Sequence, residues 1–409
     1  MHSFLDLRTR AWRPAVVAIS LFVAACGGGG GSDAPAPQPE QPQPPALSLF
    51  SGAAAIPGSQ DGAAADARFR RPLALAIAPS GALYVGDLNP SGQALRIMDE
   101  DGAASSVPVR RTDDLRNIGP SWRAMAVDGQ GNVYTASEAM LRDDPRAVFK
   151  ITPAGDAAVL ADLSAWIGPF SRTDGAYTYD YHYKGAINGL AVDASGNVYA
   201  SGVNGVILRI DPRGGAAVFA GSPGVLGHVD GNAADARFGV LGNMAFDPAG
   251  NLYVVDGLHD GITGIGPTIR KISPAGMVST VAGRADQPAG LADGPADSAR
   301  FSGAERTSWM HGFTNQGEDF GNYPVAWGGT ASLALDGKGN LYVTDPVNSV
   351  IRQITPNGQV STVVGQAGQR GFAAGPLPGV IDLPVGIAVR GSRLYFTTGS
   401  AVARVGLPQ

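Results

Sequence analysis

The side chains best suited to chemistry are few and widely scattered along this chain of 409 residues. Outside the first 26 residues the histidines are His182, His228, His259 and His311. No two of them have the short spacing that is typical of zinc ligands on one element. No Gly-x-Ser-x-Gly elbow precedes a predicted helix, so a hydrolase nucleophile is not indicated. The sequence therefore assigns no catalytic residue, no metal ligand and no cofactor.

Two segments, 162–186 and 303–328, concentrate aromatic side chains in a chain with only 7% aromatic residues. Their candidate ligand-binding residues are Trp166, Tyr177, Tyr179, Tyr181, His182, Tyr183, Trp309 and His311. The alternation of the four tyrosines predicts an extended strand with their rings on one side. Tyrosine offers a large contact area and a polar tip, which suits recognition of a peptide or a glycan. Each segment also fits local packing against the rest of the protein, and both interpretations stay open.

Three aspartates, Asp87, Asp256 and Asp345, end strand-like segments at corresponding places in the chain. We expect them to hold adjacent loops rather than a cation, because other units have serine, glycine or threonine at this place. Asp256 and Asp345 lie on the same predicted face as the aromatic segments. Together with His259 they complete the candidate ligand-binding face.

These residues are set in a repeated pattern, which decides the fold class. A nine-residue phrase occurs as Asp61-Gly-Ala-Ala-Ala-Asp-Ala-Arg-Phe69 and again at 230–238 and 293–301. We expect its first aspartate to N-cap a short helical turn and its alanines to pack inward. The Arg-Phe pair is expected to pin the junction between units.

Six units become visible when the chain is aligned on a recurrent tyrosine. These tyrosines are Tyr84, Tyr134, Tyr199, Tyr253, Tyr342 and Tyr395. Each unit has an apolar strand, a tight glycine turn, a second and third strand and, except in the last unit, a fourth strand after a second tight turn. The sequence thus predicts an all-β, six-bladed β-propeller. Residues 47–52 match the strand missing from the last unit, so an N-terminal strand should complete the C-terminal blade.

The motifs of the fourth and fifth units resemble NHL repeats of bacterial secreted proteins. They include Asp336-Gly-Lys-Gly-Asn-Leu-Tyr-Val-Thr-Asp345, Ile351-Arg-Gln-Ile-Thr-Pro-Asn-Gly358 and Val278-Ser-Thr-Val-Ala-Gly283. The resemblance covers about residues 47–405. It implies a six-bladed propeller and no single activity, because such folds host unrelated functions.

Some enzymes of similar fold, the propeller lactonases and amidating lyases, place metal ligands on inner strands around the channel mouth. The corresponding positions in this chain are Leu73, Arg123, Asn188, Gly242, Ala331 and Val385. Only the second and third of these are polar, so the set is poorly suited to a metal.

The N-terminus predicts export and membrane anchoring. Arginines precede an apolar stretch at 15–25, and the following Val23-Ala-Ala-Cys26 resembles a lipoprotein lipobox. An ordinary signal peptide with an incidental cysteine is the alternative. We expect residues 1–25 to be a signal peptide, Cys26 to be lipidated and 26–45 to be a Gly/Pro-rich tether to a propeller at 46–409. Gly27 replaces the aspartate of inner-membrane retention, which favours the outer membrane of a Gram-negative envelope.

The expanded connections all fall on one predicted face, where rigid scaffolds usually carry binding loops. The sequence therefore predicts an envelope binding or scaffolding module that presents this face to a protein, peptide or glycan. The alternative is an envelope hydrolase or lyase, lactonase-like or metal-dependent, acting at the channel mouth; the sequence favours the non-enzymatic role. A net charge of −5 and the lack of a basic patch with interleaved aromatics argue against nucleic acid. The sequence indicates no oligomeric state.

Overall fold

A computed structural model describes residues 45–89, 92–112, 120–137, 146–167, 171–174, 177–180, 187–202, 204–257, 266–302, 309–313, 319–324 and 331–407. The predicted signal peptide, Cys26 and nearly all of the predicted tether lie outside these residues. Regular structure in the described ranges is β-strand throughout. None of their segments is a helix of the length and apolarity that a membrane crossing needs.

The strands build six blades, and in each of them four antiparallel strands form a meander from an innermost to an outer position. The first strand, β1 (Ala46–Gly52), belongs to blade 6. Blade 1 contains β2 (Pro72–Ile77), β3 (Leu83–Asn89), β4 (Gly92–Met98) and β5 (Ala104–Ser106). Blade 2 contains β6 (Arg110–Arg111), β7 (Pro120–Val127), β8 (Val133–Ser137), β9 (Ala147–Ile151) and β10 (Asp156–Asp162). A separate pair, β11 (Ser171–Asp174) and β12 (Tyr177–Asp180), follows.

The second half of the chain repeats this arrangement. Blade 3 contains β13 (Ile187–Val192), β14 (Val198–Gly202), β15 (Val206–Ile210) and β16 (Ala216–Gly221). Blade 4 contains β17 (Gly231–Asn232), β18 (Leu241–Phe246), β19 (Leu252–Asp256), β20 (Thr268–Ile272) and β21 (Met277–Ala282). Blade 5 contains β22 (Gly294–Pro295), β25 (Leu333–Leu335), β26 (Leu341–Asp345), β27 (Val350–Ile354) and β28 (Gln359–Val364). A separate pair, β23 (Trp309–Phe313) and β24 (Asp319–Pro324), lies between β22 and β25 in the chain. Blade 6 contains β29 (Gly375–Pro376), β30 (Ile387–Arg390), β31 (Arg393–Thr398) and β32 (Ala401–Gly406) besides β1.

The blades close into a ring through their innermost strands. Each of β2, β7, β13, β18, β25 and β30 contacts the next, and β30 contacts β2. Strand β1 pairs antiparallel with β32, with Leu47 opposite Val405 and Gly52 opposite Ala401. The predicted completion of the last blade by the N-terminal strand is therefore confirmed, as is the six-bladed propeller fold.

The turn between first and second strands is held by one aspartate in blades 2 to 5. The Asp128 carboxylate accepts the backbone N–H groups of Gln130 and Asn132 at 2.9 and 2.8 Å. It also accepts the Asn132 amide at 2.7 Å and the Tyr134 hydroxyl at 2.9 Å. The same asparagine and tyrosine contacts recur at Asp193, Asp247 and Asp336. The recurrent tyrosine is thus a structural ligand of the turn aspartate.

The nine-residue phrase has a different role from the predicted helix cap. The Asp230 carboxylate accepts the N–H of Thr280 at 2.9 Å and its hydroxyl at 3.2 Å, on the outermost strand of blade 4. The short turn after it is closed instead by the Asn232 carbonyl, which accepts the N–H groups of Asp235 and Ala236. Asp61 and Asp293 make the equivalent contacts in blades 1 and 5. The N-cap prediction was wrong: these aspartates satisfy amides at the open edge of a sheet.

The prediction that the alanines pack inward holds only for the last alanine of the phrase, because Ala63 and Ala65 are exposed and Ala64 is half-buried. Ala67 and Phe69 are buried, and so are their counterparts in the other two copies. Phe69 packs against Phe50 and Tyr395 of blade 6, so the phenylalanine seals the junction between that blade and blade 1.

Candidate functional site

The two ends of the propeller differ in their connections. In each antiparallel meander the turns after the first and third strands share one end, which we name the turn face. The connections after the second strand and between blades share the other end, the loop face. The described connections of the turn face are tight, and both aromatic segments open on the loop face.

Each aromatic segment contains an independent two-stranded sheet. Strands β11 and β12 form hairpin 1, in which Tyr177 lies opposite Asp174 and Tyr179 opposite Arg172. The predicted extended strand is confirmed for 177–180. Strands β23 and β24 form hairpin 2, in which Trp309 lies opposite Pro324 and His311 opposite Asn322. Four candidate residues lie outside the described residues, namely Tyr181, His182, Tyr183 and His259.

In the chain, each hairpin comes directly before an innermost strand. Hairpin 1 leads into β13 and hairpin 2 into β25. In blade 4 the same position, between Phe238 and β18, holds only Gly239 and Val240. Because the innermost strands surround the central channel, the strands that follow the hairpins in the chain, β13 and β25, begin at the rim of its mouth on the loop face.

Asp345 holds Ser302, which precedes the segment that carries hairpin 2. Its carboxylate accepts the Ser302 N–H at 3.2 Å, the Ser302 hydroxyl and the Asn348 amide at 3.0 Å. Burial raises the pKa of Asp345 above its ordinary value, although these hydrogen bonds oppose the shift. The carboxylate is thus engaged within the protein, at the last described residue before the segment that carries hairpin 2.

Trp166 lies in the chain before hairpin 1 and packs inward. It is partly buried against a core that includes Leu163 and Ile167, and its carbonyl accepts a hydrogen bond from the Asn204 side-chain amide. For this residue the structure supports the local-packing interpretation. Strand β10 extends to Asp162, so the segment departs from the blade later than its predicted start.

A buried arginine links two aspartates of blade 4 that recur in other blades. Arg270 Nη1 lies 2.5 Å from Asp256 Oδ2, and its Nη2 lies 2.7 Å from Asp230 Oδ1. Its guanidinium carbon lies 5.0 Å from the centroid of the Phe238 ring. Asp256 Oδ1 also accepts the Gly239 N–H at 2.7 Å, directly before the innermost strand. We name this set of one arginine and two aspartates an arginine triad.

Blades 1 and 5 contain the same triad, built on Arg96 and Arg352. Arg96 lies 2.8 Å from Asp61 and 3.8 Å from Asp87, and Arg352 lies 2.7 Å from Asp293 and 3.8 Å from Asp345. The expectation that Asp87, Asp256 and Asp345 hold loops agrees with these contacts. Their role on a ligand-binding face stays a prediction. Sequence reasoning missed the arginine, although the recurrent Ile-Arg-x-Ile motif contains it.

The other three blades replace both charges together. Blade 3 has Leu208 opposite Ala200 and Val218 in place of the arginine, and Gly202 in place of the aspartate. Blades 2 and 6 have Phe149 and Ala403 at the arginine position. A charge pair and an uncharged pair are thus alternative solutions of one structural position, which marks the triads as parts of the scaffold.

One histidine lies beside a triad. His228 Nδ1 is 3.4 Å from Asp256 Oδ2, and the side chain is 24% exposed. A Cβ atom at Gly239 or at Gly257 would lie 3.3 Å from the His228 imidazole, so glycines make room for the ring. Sequence reasoning had grouped His228 only with scattered histidines.

The innermost strands of this protein do not carry metal-binding side chains at the described positions that hold metal ligands in propeller lactonases and amidating lyases. Leu73, Ala331 and Val385 are buried, and the Asn188 amide donates to the Leu241 carbonyl of the next blade at 2.9 Å. Within the described ranges no group of three or more His, Cys, Asp or Glu side chains is arranged to hold a metal ion.

Comparison with protein-family models and with curated proteins gives no match. Solved structures match the chain over most of its length. A protein of unknown function from Bacteroides thetaiotaomicron gives a TM-score of 0.60 at 18% identity, over 88% of this chain and 76% of that chain. An auxiliary nutrient binding protein from the same species gives 0.57 at 15% identity, over 88% and 76%. Another from Bacteroides ovatus gives 0.55 at 15%, over 90% and 77%.

At these identities the similarity concerns the fold. The chain is a six-bladed β-propeller of the kind found in these Bacteroides proteins. The resemblance of its motifs to NHL repeats stays a prediction from the sequence.

Proposed function

We propose that this chain is a lipid-anchored binding module of the bacterial envelope, whose loop face binds a protein, peptide or glycan. One observation carries the proposal: two aromatic-rich segments contain separate hairpins, and each segment leads into an innermost strand that begins at the channel rim. Binding loops on a rigid scaffold lose little conformational freedom when a ligand arrives. A binding role has a precedent in this fold, because two similar propellers are auxiliary nutrient binding proteins.

Site-specific photo-crosslinking in intact cells tests the binding role. A photoreactive amino acid replaces Tyr179 in hairpin 1 or Trp309 in hairpin 2, and the control replaces Arg213, an exposed residue on the turn face. We expect discrete adducts from the two hairpins and none from the control. Equal capture from all three positions, or none from the hairpins, would remove the assignment of the loop face.

Anchoring at Cys26 is tested separately by fractionation. The unchanged chain should incorporate radiolabelled palmitate and sediment with outer membranes, whereas Cys26→Ser should do neither. An unlabelled wild-type chain in the soluble fraction would exclude the anchor without affecting the crosslinking result.

His228 favours a second candidate, an envelope hydrolase or lyase acting at the channel mouth. An imidazole backed by a carboxylate is the arrangement of a general base. Replacement of His228 by Gln, with metal analysis of the wild-type chain and of variants at His182, His259 and His311, tests this alternative. If the purified wild-type chain hydrolyses a panel of lactones and esters no faster than the His228→Gln variant does, the enzymatic alternative is dismissed.

A further inference from the structure

The outermost strand of blade 3 differs from its counterparts in what lies against its outer edge. In blades 2, 4, 5 and 6 a short strand covers that edge, namely β6, β17, β22 and β29. In blade 1 a bridge between Gly62 and Ala104 does the same. Within the described ranges β16 pairs only with β15. The place of the covering strand in the chain, ahead of the innermost strand, is taken in blade 3 by hairpin 1, which forms a sheet of its own.

The repeat shows which backbone groups of β16 point away from β15. Val218 lies opposite Leu208, in the register of Thr280 and Arg270 in blade 4. There the N–H of Thr280 donates to the Asp230 carboxylate of the covering segment at 2.9 Å. The N–H and carbonyl of one residue point to the same side of an antiparallel strand. Both backbone groups of Val218 therefore face the outer edge.

Ala216 supplies the neighbouring pair of outward groups. It pairs with the last residue of β15, as Ala104 pairs with the last residue of β4. The N–H and carbonyl of Ala104 exchange hydrogen bonds with Gly62 at 2.9 and 3.0 Å. The same two groups of Ala216 have no such covering segment among the described residues. Ala216 and Val218 thus present one short row of donors and acceptors at the edge of the sheet.

The side chains at this edge favour an uncharged strand as its partner. Val218 is 42% exposed and has no hydroxyl, whereas the Thr280 hydroxyl donates to Asp230 at 3.2 Å. Leu208 stands where Arg270 binds that aspartate in blade 4. An aspartate arriving at β16 would therefore find neither the hydroxyl nor the cation. The sequence of β16, Ala-Ala-Val-Phe-Ala-Gly, contains no charged residue itself.

We propose that β16 is a homodimerisation strand, which pairs antiparallel with β16 of a second copy of this chain. A two-fold axis at Ala217 places Ala216 of each copy opposite Val218 of the other. Their outward N–H and carbonyl groups then bond across the axis. The exposed Ala217 is small enough to let the backbones approach, and no like charges meet. Such a contact uses the same surface on both copies, which is the usual form of a symmetric dimer.

The second copy fits this edge better than an unrelated acidic segment does. It supplies the neutral strand that the loss of the hydroxyl and the arginine favours, and it is present wherever the chain itself is present. Pairing also covers an edge that would otherwise serve as a template for open-ended association. The ladder is short, because the register of β16 shifts between Val218 and Ala220. We therefore expect a reversible dimer rather than an obligate one.

Cysteine crosslinking in intact cells tests the arrangement. Ala217→Cys brings two sulfurs together at the axis, where the Cα atoms of a non-hydrogen-bonded pair lie about 4.5 Å apart, within the range of a disulfide. We expect a disulfide-linked dimer, with mass spectrometry locating the bond between the two introduced cysteines. The control, Ser279→Cys, has the same register on β21, whose edge β17 covers, and should stay monomeric. Both variants keep Cys26, the natural cysteine of the chain.

Sedimentation velocity of the purified full chain measures the strength of the contact. Val218→Pro removes the outward N–H, and proline is tolerated where that N–H faces away from the sheet. We expect it to raise the dimer dissociation constant at least about tenfold. Val225→Lys, which replaces a valine that is 49% exposed outside the strands, should leave the constant unchanged. Val218→Lys keeps the backbone N–H and places a charge on the neutral edge, so it should also weaken the dimer.

The outcomes that overturn the proposal are distinct. They are a wild-type chain that stays monomeric at every concentration, equal crosslinking from Ser279→Cys, and an equal loss of dimer in Val225→Lys. A dimer that neither Val218 variant weakens also excludes β16 as the contact. Crosslinking of Ala217→Cys to a different protein would assign the edge to another partner and reject the second copy. Thermal melting checks that the variants fold, and Val218→Lys decides the result if Val218→Pro does not.

Discussion

Replacing Arg270 with leucine, the residue at this position in blade 3, should strongly destabilise the protein. The Arg270 side chain is 1% exposed, and its partner Asp256 is fully buried. The substitution leaves Asp256 with the Gly239 N–H and the neighbouring His228, but without its cation. Removing one member of a buried ion pair costs about 3–5 kcal/mol. With a urea slope of about 3 kcal/mol per M, the unfolding midpoint should fall by about 1–2 M.

A double substitution separates the ion pair from the other contacts of these residues. Arg270→Leu combined with Asp256→Gly recreates the pair found in blade 3, and no buried charge is then left without a partner. We expect the double variant to lose at least about 2 kcal/mol less stability than the sum of the single variants. The assay is urea denaturation of the purified chain, followed by tryptophan fluorescence and circular dichroism.

The other aspartate of the triad supplies a matched control. Asp230 contacts the same arginine, but its side chain is 49% exposed. Asp230→Asn keeps a hydrogen-bond acceptor and loses a solvent-screened charge, so it should cost no more than about 1 kcal/mol. If Asp230→Asn destabilised as much as Arg270→Leu, or if the double variant were additive, the role assigned to the buried pair would be refuted.

Two further predictions concern the blade turns and a blade interface. Burial and then the Asp193 carboxylate raise the pKa of Tyr199 to about 12. The folded chain therefore keeps the hydroxyl proton to a higher pH than the unfolded chain, and the stability that this proton contributes is lost as pH rises from about 10 to 12. Tyr199→Phe should make the urea unfolding midpoint fall less steeply over that pH range. Gly86→Ala would place a methyl group 2.2 Å from the Trp122 Cβ atom, between blades 1 and 2, and should cost at least about 1–3 kcal/mol in thermal and urea unfolding. Gly129→Ala, where no atom lies within 4 Å, should stay within about 0.5 kcal/mol of the wild type.

The parts of the fold that were predictable are those encoded by neighbouring residues. The turn at Asp128 needs only the next six positions to supply its glycine, asparagine and tyrosine partners. The closing strand at 47–52 was visible because every other unit has a fourth strand against which a missing one could be recognised. Because the units repeat, the long-range pairing of β1 with β32 could be recognised from a single sequence.

The parts that were missed depend on partners far apart in the chain. Asp230 meets Arg270 and Thr280, which lie 40 and 50 positions later. At the sequence level a cap for the adjacent turn was the nearer explanation for this aspartate, and only the packed blade shows the sheet edge that it covers.

Three features of this propeller occur at one position of the repeat, directly before an innermost strand. Blade 1 has Arg70 and Arg71 there, blade 3 has hairpin 1 and blade 5 has hairpin 2, and these are alternate blades of the ring. Beneath each of them the scaffold is held by contacts outside the variable side chains, through Asp87, Asn204 and Asp345. Substitutions at this position therefore change the rim of the channel while the blade cores stay intact. That separation of a variable rim from a fixed scaffold is the physical reason for assigning the binding role to the loop face.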